Sequence, residues 1–299
     1  MSIVQVLLGV LILSGSLLML GWFRSTTQGR AAGRPDGIGV LIGFVTNFFD
    51  TLGIGSFAPT TAAFRLLRRV PDELIPGTML IGHSLPVIAQ ALIFITVVEV
   101  NPAQMAILIV CCVAGGWVGA GLVASFSRRA VQFAMAIALS AAAVLMVVGM
   151  LGLIPAGGSA TTFPPQAFAI AVVVSIVLGA LLTIGIGNYA PSLIVFSLLG
   201  MDPRAAFPIM MGSGAFVATI AGVRFVSRGR FDSRAALGLA IGGIPGVLVA
   251  AWIVRSLPLD TLRWLVVAVV IYSAISLLRS AVSTPAIDPM ASAPRSPRQ

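Results

Sequence analysis

A segment of eleven residues that interrupts an apolar stretch occurs twice in this chain, and this repeat constrains the fold more than any other feature. Residues 51–61 read TLGIGSFAPTT and residues 183–193 read TIGIGNYAPSL. Identical residues recur at a constant offset of 132 positions: Thr51 and Thr183, Gly53 and Gly185, Ile54 and Ile186, Gly55 and Gly187, Ala58 and Ala190, and Pro59 and Pro191. The chain is therefore a duplication of one unit.

Composition places the duplicated chain in a membrane. Hydrophobic residues make up 58% of the 299 positions and charged residues 9%, with a mean hydropathy of +1.07, which leaves too little polar surface for a soluble fold. Apolar stretches near the length of about 20 residues that crosses a bilayer recur along the chain. We predict an all-α polytopic integral membrane protein with helices near 3–22, 37–52, 74–98, 103–125, 131–153, 168–183, 206–223, 236–253 and 261–278.

The positions of the arginines predict how each half crosses the membrane. All 18 basic residues are Arg, mostly in short loops, and such residues are enriched on the cytoplasmic side. If each broken element enters the membrane and returns to the same side, only Arg204, Arg255 and Arg263 lie outside. If it crosses once, five more move outside, namely Arg65, Arg68, Arg69, Arg128 and Arg129. The bias favours the first arrangement, which gives two inverted-topology repeats with the N-terminus outside and the C-terminus in the cytoplasm.

The repeat extends beyond the two GIG segments and sets the expected domain boundaries. GGWVG at residues 115–119 matches GGIPG at residues 242–246, and glycines four apart let membrane helices approach closely. Each repeat is expected to hold a broken or re-entrant helix pair followed by three transmembrane helices, and the sequence leaves open which of the two forms the pair takes. The predicted units are an N-terminal helix and cytoplasmic linker (1–36), repeat 1 (37–151), an external linker (152–168), repeat 2 (169–281) and a disordered cytoplasmic tail (282–299).

Each GIG segment reads as helix, break, helix, and the two breaks are the predicted binding site. Glycine ends a helix at low cost, and Pro59 and Pro191 are placed to start the next one. The freed N–H groups need a partner, and a helix N-terminus favours an anion. In an inverted duplication both breaks meet near the membrane centre as a neutral cradle of hydrogen-bond donors. The predicted substrate-binding residues are Thr51, Gly53, Gly55, Ser56, Thr60, Thr183, Gly185, Gly187, Asn188, Tyr189 and Ser192.

Few ionisable groups lie within the apolar segments, and this favours an anion as substrate. Cation pathways usually hold paired carboxylates, whereas here only Asp50 adjoins a break and Glu99 lies near a helix end. Asp50 and His83, the single histidine, are the candidates for proton coupling. The alternatives are structural: Asp50 as an internal partner for an arginine, and His83 as part of an interhelical hydrogen bond.

These residues carry a resemblance to a known family. A Gly-x-Gly break followed by a proline-led short helix, present twice, resembles the sulfite exporter TauE/SafE family of membrane permeases over nearly all of 37–281. The resemblance implies a secondary transporter that exports small sulfur-containing anions, such as sulfite or organosulfonates, across the bacterial inner membrane. Family members often carry a further glycine where this chain has Ser56 and Asn188, so the resemblance does not identify the anion.

Other classes of function are less well supported by the residues. An intramembrane enzyme needs a nucleophile with a base, a metal site or a carboxylate pair, and the chain lacks these sets. A metal-ion permease needs clustered His, Met or Cys ligands, whereas the 11 methionines are scattered. A non-transporting membrane scaffold or assembly factor needs no cradle. We predict no cofactor, no metal and no nucleic-acid partner, and the sequence leaves a homodimer open.

Overall fold

A computed structural model describes residues 2–27, 35, 37–71, 73–122, 158–182 and 188–283, with single positions between 133 and 151. The described residues are helical apart from loops and an isolated bridge between Ala160 and Met201. The helices are α1 (Ile3–Thr27), α2 (Gly37–Thr51), α3 (Phe57–Leu66), α4 (Ile75–Gly82), α5 (Ser84–Val97), α6 (Pro102–Leu122), α7 (Pro165–Leu182), α8 (Tyr189–Leu198), α9 (Pro203–Arg228), α10 (Ser233–Ser256) and α11 (Leu259–Ser283). The span expected at 131–153 lies largely outside the described residues.

Several of these helices are long and apolar enough to cross a membrane. By length and composition the candidate spans are Ile3–Ser25, Ile75–Val97, Pro165–Leu182, Pro203–Arg228 and Ser233–Ser256, and shorter apolar helices cover Gly37–Thr51, Pro102–Val118 and Tyr189–Leu198. The prediction of an all-helical polytopic membrane protein is confirmed. The span Ile75–Val97 is interrupted at His83, because Pro86 has no N–H to donate to the carbonyl group one turn earlier.

The first broken element is a helical hairpin formed by α2 and α3. The N–H of Gly53 donates to the Asp50 carbonyl at 2.8 Å and the N–H of Ile54 to the Phe49 carbonyl at 3.1 Å, a Schellman ending of α2. Gly53 has φ +96° and Gly55 has φ +89°, values that favour glycine. At the far end of α3, Phe64 packs in one cluster with Ile42 from the second turn of α2. The chain therefore folds back, so that the end of α3 lies beside the start of α2; α2 and α3 are called hairpin 1.

The second broken element has the same form and is built from α7 and α8, called hairpin 2. The rings of Phe196, near the end of α8, and Phe163, just before α7, lie 5.6 Å apart between centroids. Beyond α8, the N–H of Asp202 donates to the Ala160 carbonyl at 2.8 Å. The break itself, residues 183–187, lies outside the described residues. The contacts above join the start of α7 to the end of α8, so these two helices lie side by side as a hairpin.

The two hairpins have their open ends at opposite ends of α10. At the start of α10, Arg234 lines a small cavity of about 150 Å³ together with Gly39 and Arg69 from hairpin 1. Immediately beyond the end of α10, the Leu257 carbonyl accepts from Nη2 of Arg204, which follows hairpin 2. A helix of 24 residues spans about 36 Å at about 1.5 Å per residue, so the tips of the hairpins point toward each other from opposite sides.

The helices that follow each hairpin pack antiparallel. Phe94 near the end of α5 stacks on Phe207 near the start of α9, with ring centroids 5.1 Å apart. At the other end, Gly77 in α4 lies against Phe225 and Arg230, where α9 ends. The segments α4–α5 and α9 occupy equivalent positions in the two halves of the sequence, and they run in opposite directions.

Each hairpin packs on a helix from the other half of the chain. The most extensive helix contacts are those of α2 with α10 and of α7 with α6. Both contacts depend on glycine, because a Cβ atom at Gly242 would overlap the Val40 carbonyl and one at Gly115 would overlap the Ile176 carbonyl. These glycines belong to the matching GGIPG and GGWVG segments, so the repeated pattern marks two equivalent close approaches of helices.

We expect Gly242→Ala to destabilise the protein by about 1–3 kcal/mol, because the added methyl group forces α2 and α10 apart. The measurement is thermal unfolding in detergent. Gly9→Ala is the matched control, since a Cβ atom at Gly9 in α1 meets nothing within 4 Å. The control should be neutral or stabilising by about 0.5–1 kcal/mol through helix propensity. Equal effects of the two substitutions would contradict the close approach.

A second prediction compares the equivalent ends of α3 and α8. Both end in Schellman motifs, with the left-handed position occupied by Arg68 at φ +48° and by Gly200 at φ +95°. Arg68→Gly should therefore stabilise the protein by about 1 kcal/mol, because an L side chain is strained in this conformation. Gly200→Ala should destabilise it by a similar amount although its methyl group would meet nothing within 4 Å. Unfolding midpoints that move in the same direction for both variants would refute this interpretation.

Candidate functional site

The tips of the two hairpins meet inside the bundle. A Cβ atom at Gly53 would lie 3.4 Å from Cδ2 of Leu193 and 3.8 Å from Cε of Met210. Leu52 from the first break packs in the same core cluster as Tyr189, the first residue of α8. Asn47, one turn before the end of α2, shows how deep in the bundle this meeting point lies, because its side chain packs against Gly243 near the middle of α10. The meeting point is therefore well inside the apolar bundle.

The described polar residues predicted at the breaks are all buried at this meeting point. Each has less than a tenth of its surface exposed: Asp50, Thr51, Ser56 and Thr60 from hairpin 1, and Asn188, Tyr189 and Ser192 from hairpin 2. Gly53 and Gly55 form the turn of the first break, while Pro59 and Pro191 lie in the first turns of α3 and α8. The remaining predicted residues, Thr183, Gly185 and Gly187, lie outside the described residues.

Gln90 in α5 links Asp50 and Thr51 of hairpin 1 to Tyr189 of hairpin 2, and it is not among the residues predicted from the sequence. Its Nε2 donates to Oδ2 of Asp50 and to Oγ1 of Thr51, both at 2.9 Å, and its Oε1 accepts from the Tyr189 hydroxyl at 3.4 Å. Gln90 is fully buried. The available signal was an amide side chain inside an otherwise apolar span, because such a group needs partners that lipid does not offer. Its equivalent in the second repeat is Gly222, so this bridge occurs once.

The Asp50 carboxyl group faces hydrogen-bond donors. Besides Gln90, the hydroxyl and the backbone N–H of Ser56 lie near it and interact with its charge. The Ser56 hydroxyl does not reach hydrogen-bond geometry, so it is a buried polar group without a hydrogen-bond partner. Tyr189 is its electrostatic neighbour on hairpin 2. Among the described residues no arginine contributes to the interactions of Asp50. The structural alternative of an arginine partner for Asp50 therefore has no support here.

His83 has a different environment, in which both ring nitrogens are engaged. Nδ1 lies 3.1 Å from Oδ1 of Asn47 in α2, and Nε2 lies 3.0 Å from the Thr60 hydroxyl in α3. Asn47 donates through Nδ2 to the Gly43 carbonyl, so its oxygen faces His83 and Nδ1 carries the proton. Nε2 of the neutral ring then accepts from Thr60. This arrangement fastens both arms of hairpin 1 to the junction of α4 and α5.

Cys112 brings α6 to the second hairpin. It is buried, and its thiol interacts with the side chains of Asn188 and Ser213. Across the described residues no three His, Cys, Asp or Glu side chains are grouped so that they could hold a metal ion. A cavity of about 420 Å³ lies elsewhere, between α1 and α9, lined among others by Leu18, Arg24 and Val226. The polar side chains of the described site are buried, whereas Gly55 at the turn is partly exposed.

The arrangement defines a class of protein. Broken helices whose tips meet at a buried polar patch inside an apolar bundle are typical of secondary transporters, since non-helical backbone at membrane depth is tolerated only where protein or a cavity covers it. Residues 167–298, from α7 through α11, match the family model described as Sulfite exporter TauE/SafE. This match confirms the family resemblance over the second GIG segment and the helices that follow it, and the family is one of membrane permeases. No curated protein and no solved structure is significantly similar to the chain.

We expect Gln90→Met to lower the free energy of unfolding by about 1–3 kcal/mol, because the buried Asp50 carboxyl group loses the hydrogen bond from the Gln90 amide. A double-mutant cycle in detergent should give a coupling energy of about 1 kcal/mol or more between Gln90→Met and Asp50→Leu, which removes the acceptor. The cycle with Tyr189→Phe should give less than about 0.5 kcal/mol, because the 3.4 Å contact is weak. The reverse ranking would contradict the described hydrogen bonds.

Proposed function

We propose that this protein is a secondary transporter that moves small sulfur-containing anions, such as sulfite or organosulfonates, out of the cell across the inner membrane by alternating access. The observation that carries the proposal is the meeting of the two hairpin tips at a buried patch of hydrogen-bond donors. The family match supports the class of substrate, because it is to a family described as sulfite exporters. A single buried carboxyl group at the patch, with no second one beside it among the described residues, supports an anion rather than a cation.

The proposal includes an inverted arrangement of repeat 1 (37–151) and repeat 2 (169–281). Two contacts support it: the hairpins open at opposite ends of α10, and α5 runs antiparallel to α9. The arginines supply the orientation. Arg69 and Arg234 lie together at the open end of hairpin 1, and Arg204 lies at the open end of hairpin 2. With the arginine-rich end in the cytoplasm, the N-terminus is outside and the C-terminus inside.

The proposed binding groups are donors that carry no formal charge. The Ser56 hydroxyl is buried without a hydrogen-bond partner, which makes it the best-supported contact for an oxyanion on hairpin 1. Asn188 occupies the equivalent position on hairpin 2, and both residues precede a helix N-terminus. By contrast, Thr51 and Thr60 already donate within the protein, so they shape the site before they bind anything.

Alternating access requires the hairpins to separate from one another on one side at a time. In the described conformation the polar side chains of the site that the structure describes are buried, which corresponds to a closed state between the two open ones. Hairpin 1 moves with α10 and hairpin 2 with α6, because these are their most extensive contacts. The Gln90 bridge between the tips breaks when the two units move apart, and its buried partners then become available to water or substrate.

Transport of labelled sulfite and sulfoacetate by proteoliposomes tests the proposal. Ser56→Ala and Asn188→Ala should each raise the concentration for half-maximal transport by about 10- to 100-fold, as expected for loss of one hydrogen bond to a charged ligand. Ser273→Ala in α11 is the matched control and should transport normally, since its hydroxyl donates only to the Val269 carbonyl one turn earlier. If both site variants transported as the wild type does, the site assignment would be wrong.

The same experiment separates the transporter from the two alternatives. A scaffold or assembly factor would show no transport of any anion, and its biological activity would survive both site substitutions. A metal-ion permease would transport divalent cations and show no competition by sulfite. Saturable anion transport by the wild type contradicts both alternatives.

A further inference from the structure

We infer that the Asp50 carboxylate competes with the transported anion for the same hydrogen-bond donors, so that the anion binds only when Asp50 is protonated. The inference rests on the proposed function and specifies its regulation: each anion bound at the hairpin tips brings one proton with it. Asp50, rather than His83, is the group that takes up this proton.

The competition follows from the directions of the hydrogen bonds. Nε2 of Gln90 donates to Oδ2 of Asp50 at 2.9 Å, and Ser56 lies beside the same carboxyl group, although its hydroxyl makes no hydrogen bond. Ser56 is also the last residue of the break, directly before α3, where an oxyanion is proposed to bind. The internal carboxylate therefore lies beside the proposed binding position, and it holds the Gln90 donor that an anion there would need.

Two negative charges at this position are not tolerated together. Both would lie within a few ångströms of one another in a water-poor interior, where like charges repel far more strongly than in solution. Across the described residues, no basic side chain interacts with Asp50 and offsets this repulsion. Protonation removes the negative charge of the carboxylate, and Asp50 then holds a hydroxyl donor of its own that faces the incoming oxyanion.

The other titratable groups near Asp50 do not replace it in this role. On α8, Tyr189 donates its hydroxyl to Gln90 and carries no charge when protonated. On α6, Cys112 interacts with Ser213 and Asn188, and it is not among the groups that interact with Asp50. His83 is saturated as a neutral ring between Asn47 and Thr60. A second proton on His83 would only reverse the direction of its hydrogen bond with Thr60, and it would release no donor from the Asp50 carboxyl group.

The proton balance of one transport step is simple. On the side from which the anion enters, Asp50 takes one proton, and the Gln90 amide turns to the anion together with the Ser56 hydroxyl. On the other side the anion leaves, Asp50 loses the proton, and Gln90 returns to the carboxylate. No other group changes its charge, so a monovalent anion moves without net charge.

The test measures binding of methanesulfonate to the purified protein by calorimetry from about pH 5 to about pH 8.5, because this anion keeps one charge throughout. Wild-type affinity should fall about tenfold for each pH unit above the titration of Asp50, as only the protonated fraction binds. Asp50→Asn should bind with the affinity of the protonated wild type at every pH. Glu99→Gln, which removes an exposed carboxylate near the end of α5, should keep the wild-type dependence.

A second measurement does not depend on any variant. Binding of methanesulfonate to the wild type in weakly buffered solution should take up close to one proton per anion at the upper end of the pH range. Affinity that is independent of pH, absence of proton uptake, or loss of binding in Asp50→Asn at every pH would each overturn the inference while leaving an anion transporter intact. Failure of the wild type to bind any sulfonate or sulfite would overturn the proposed function instead.

Discussion

The structure depends on one constraint: inside a bilayer every backbone N–H and C=O must find its partner within the protein. A chain that stops a helix half-way through the membrane exposes such groups, and the break after α2 does so. The Schellman hydrogen bonds satisfy the N–H groups of Gly53 and Ile54, and the Asp50 carboxyl group interacts with the N–H of Ser56. The tip of hairpin 1 is covered by Leu193 of α8, which lies against Gly53, and by Gln90 of α5, which donates to Asp50. The polar patch proposed to bind the substrate therefore also stabilises the first break.

Local features of the fold could be predicted from the sequence because they depend on local chemistry. Gly53 and Gly55 indicated the turn, since glycine adopts these φ values at a lower free-energy cost than other residues. Pro191 indicated the start of α8. Most apolar stretches matched helices to within a few residues. The family resemblance was carried by the same glycines and prolines, and the family model matches the half of the chain that contains the second set.

The hydrogen-bond partners could not be predicted, because they depend on how the helices are rotated about their axes. Gln90 reaches Asp50 only because α5 turns one particular face to hairpin 1, and that rotation is fixed by distant packing such as Phe94 on Phe207. Asn47 in α2 reaches His83 for a similar reason, since its position is set by the glycines of α10, which bring α2 close to α10. Hydrophobic periodicity indicates that a polar residue lies in a helix, but it does not identify the partner of that residue's side chain in another helix.

The packing of the hairpins ties the two halves of the chain to one another. Hairpin 1 makes its most extensive helix contact with α10 and hairpin 2 with α6, so each half covers one face of a hairpin from the other half. The glycines that permit these contacts, such as Gly242 and Gly115, would face lipid in a half of the chain produced alone. Neither half is therefore expected to form a stable unit without the other.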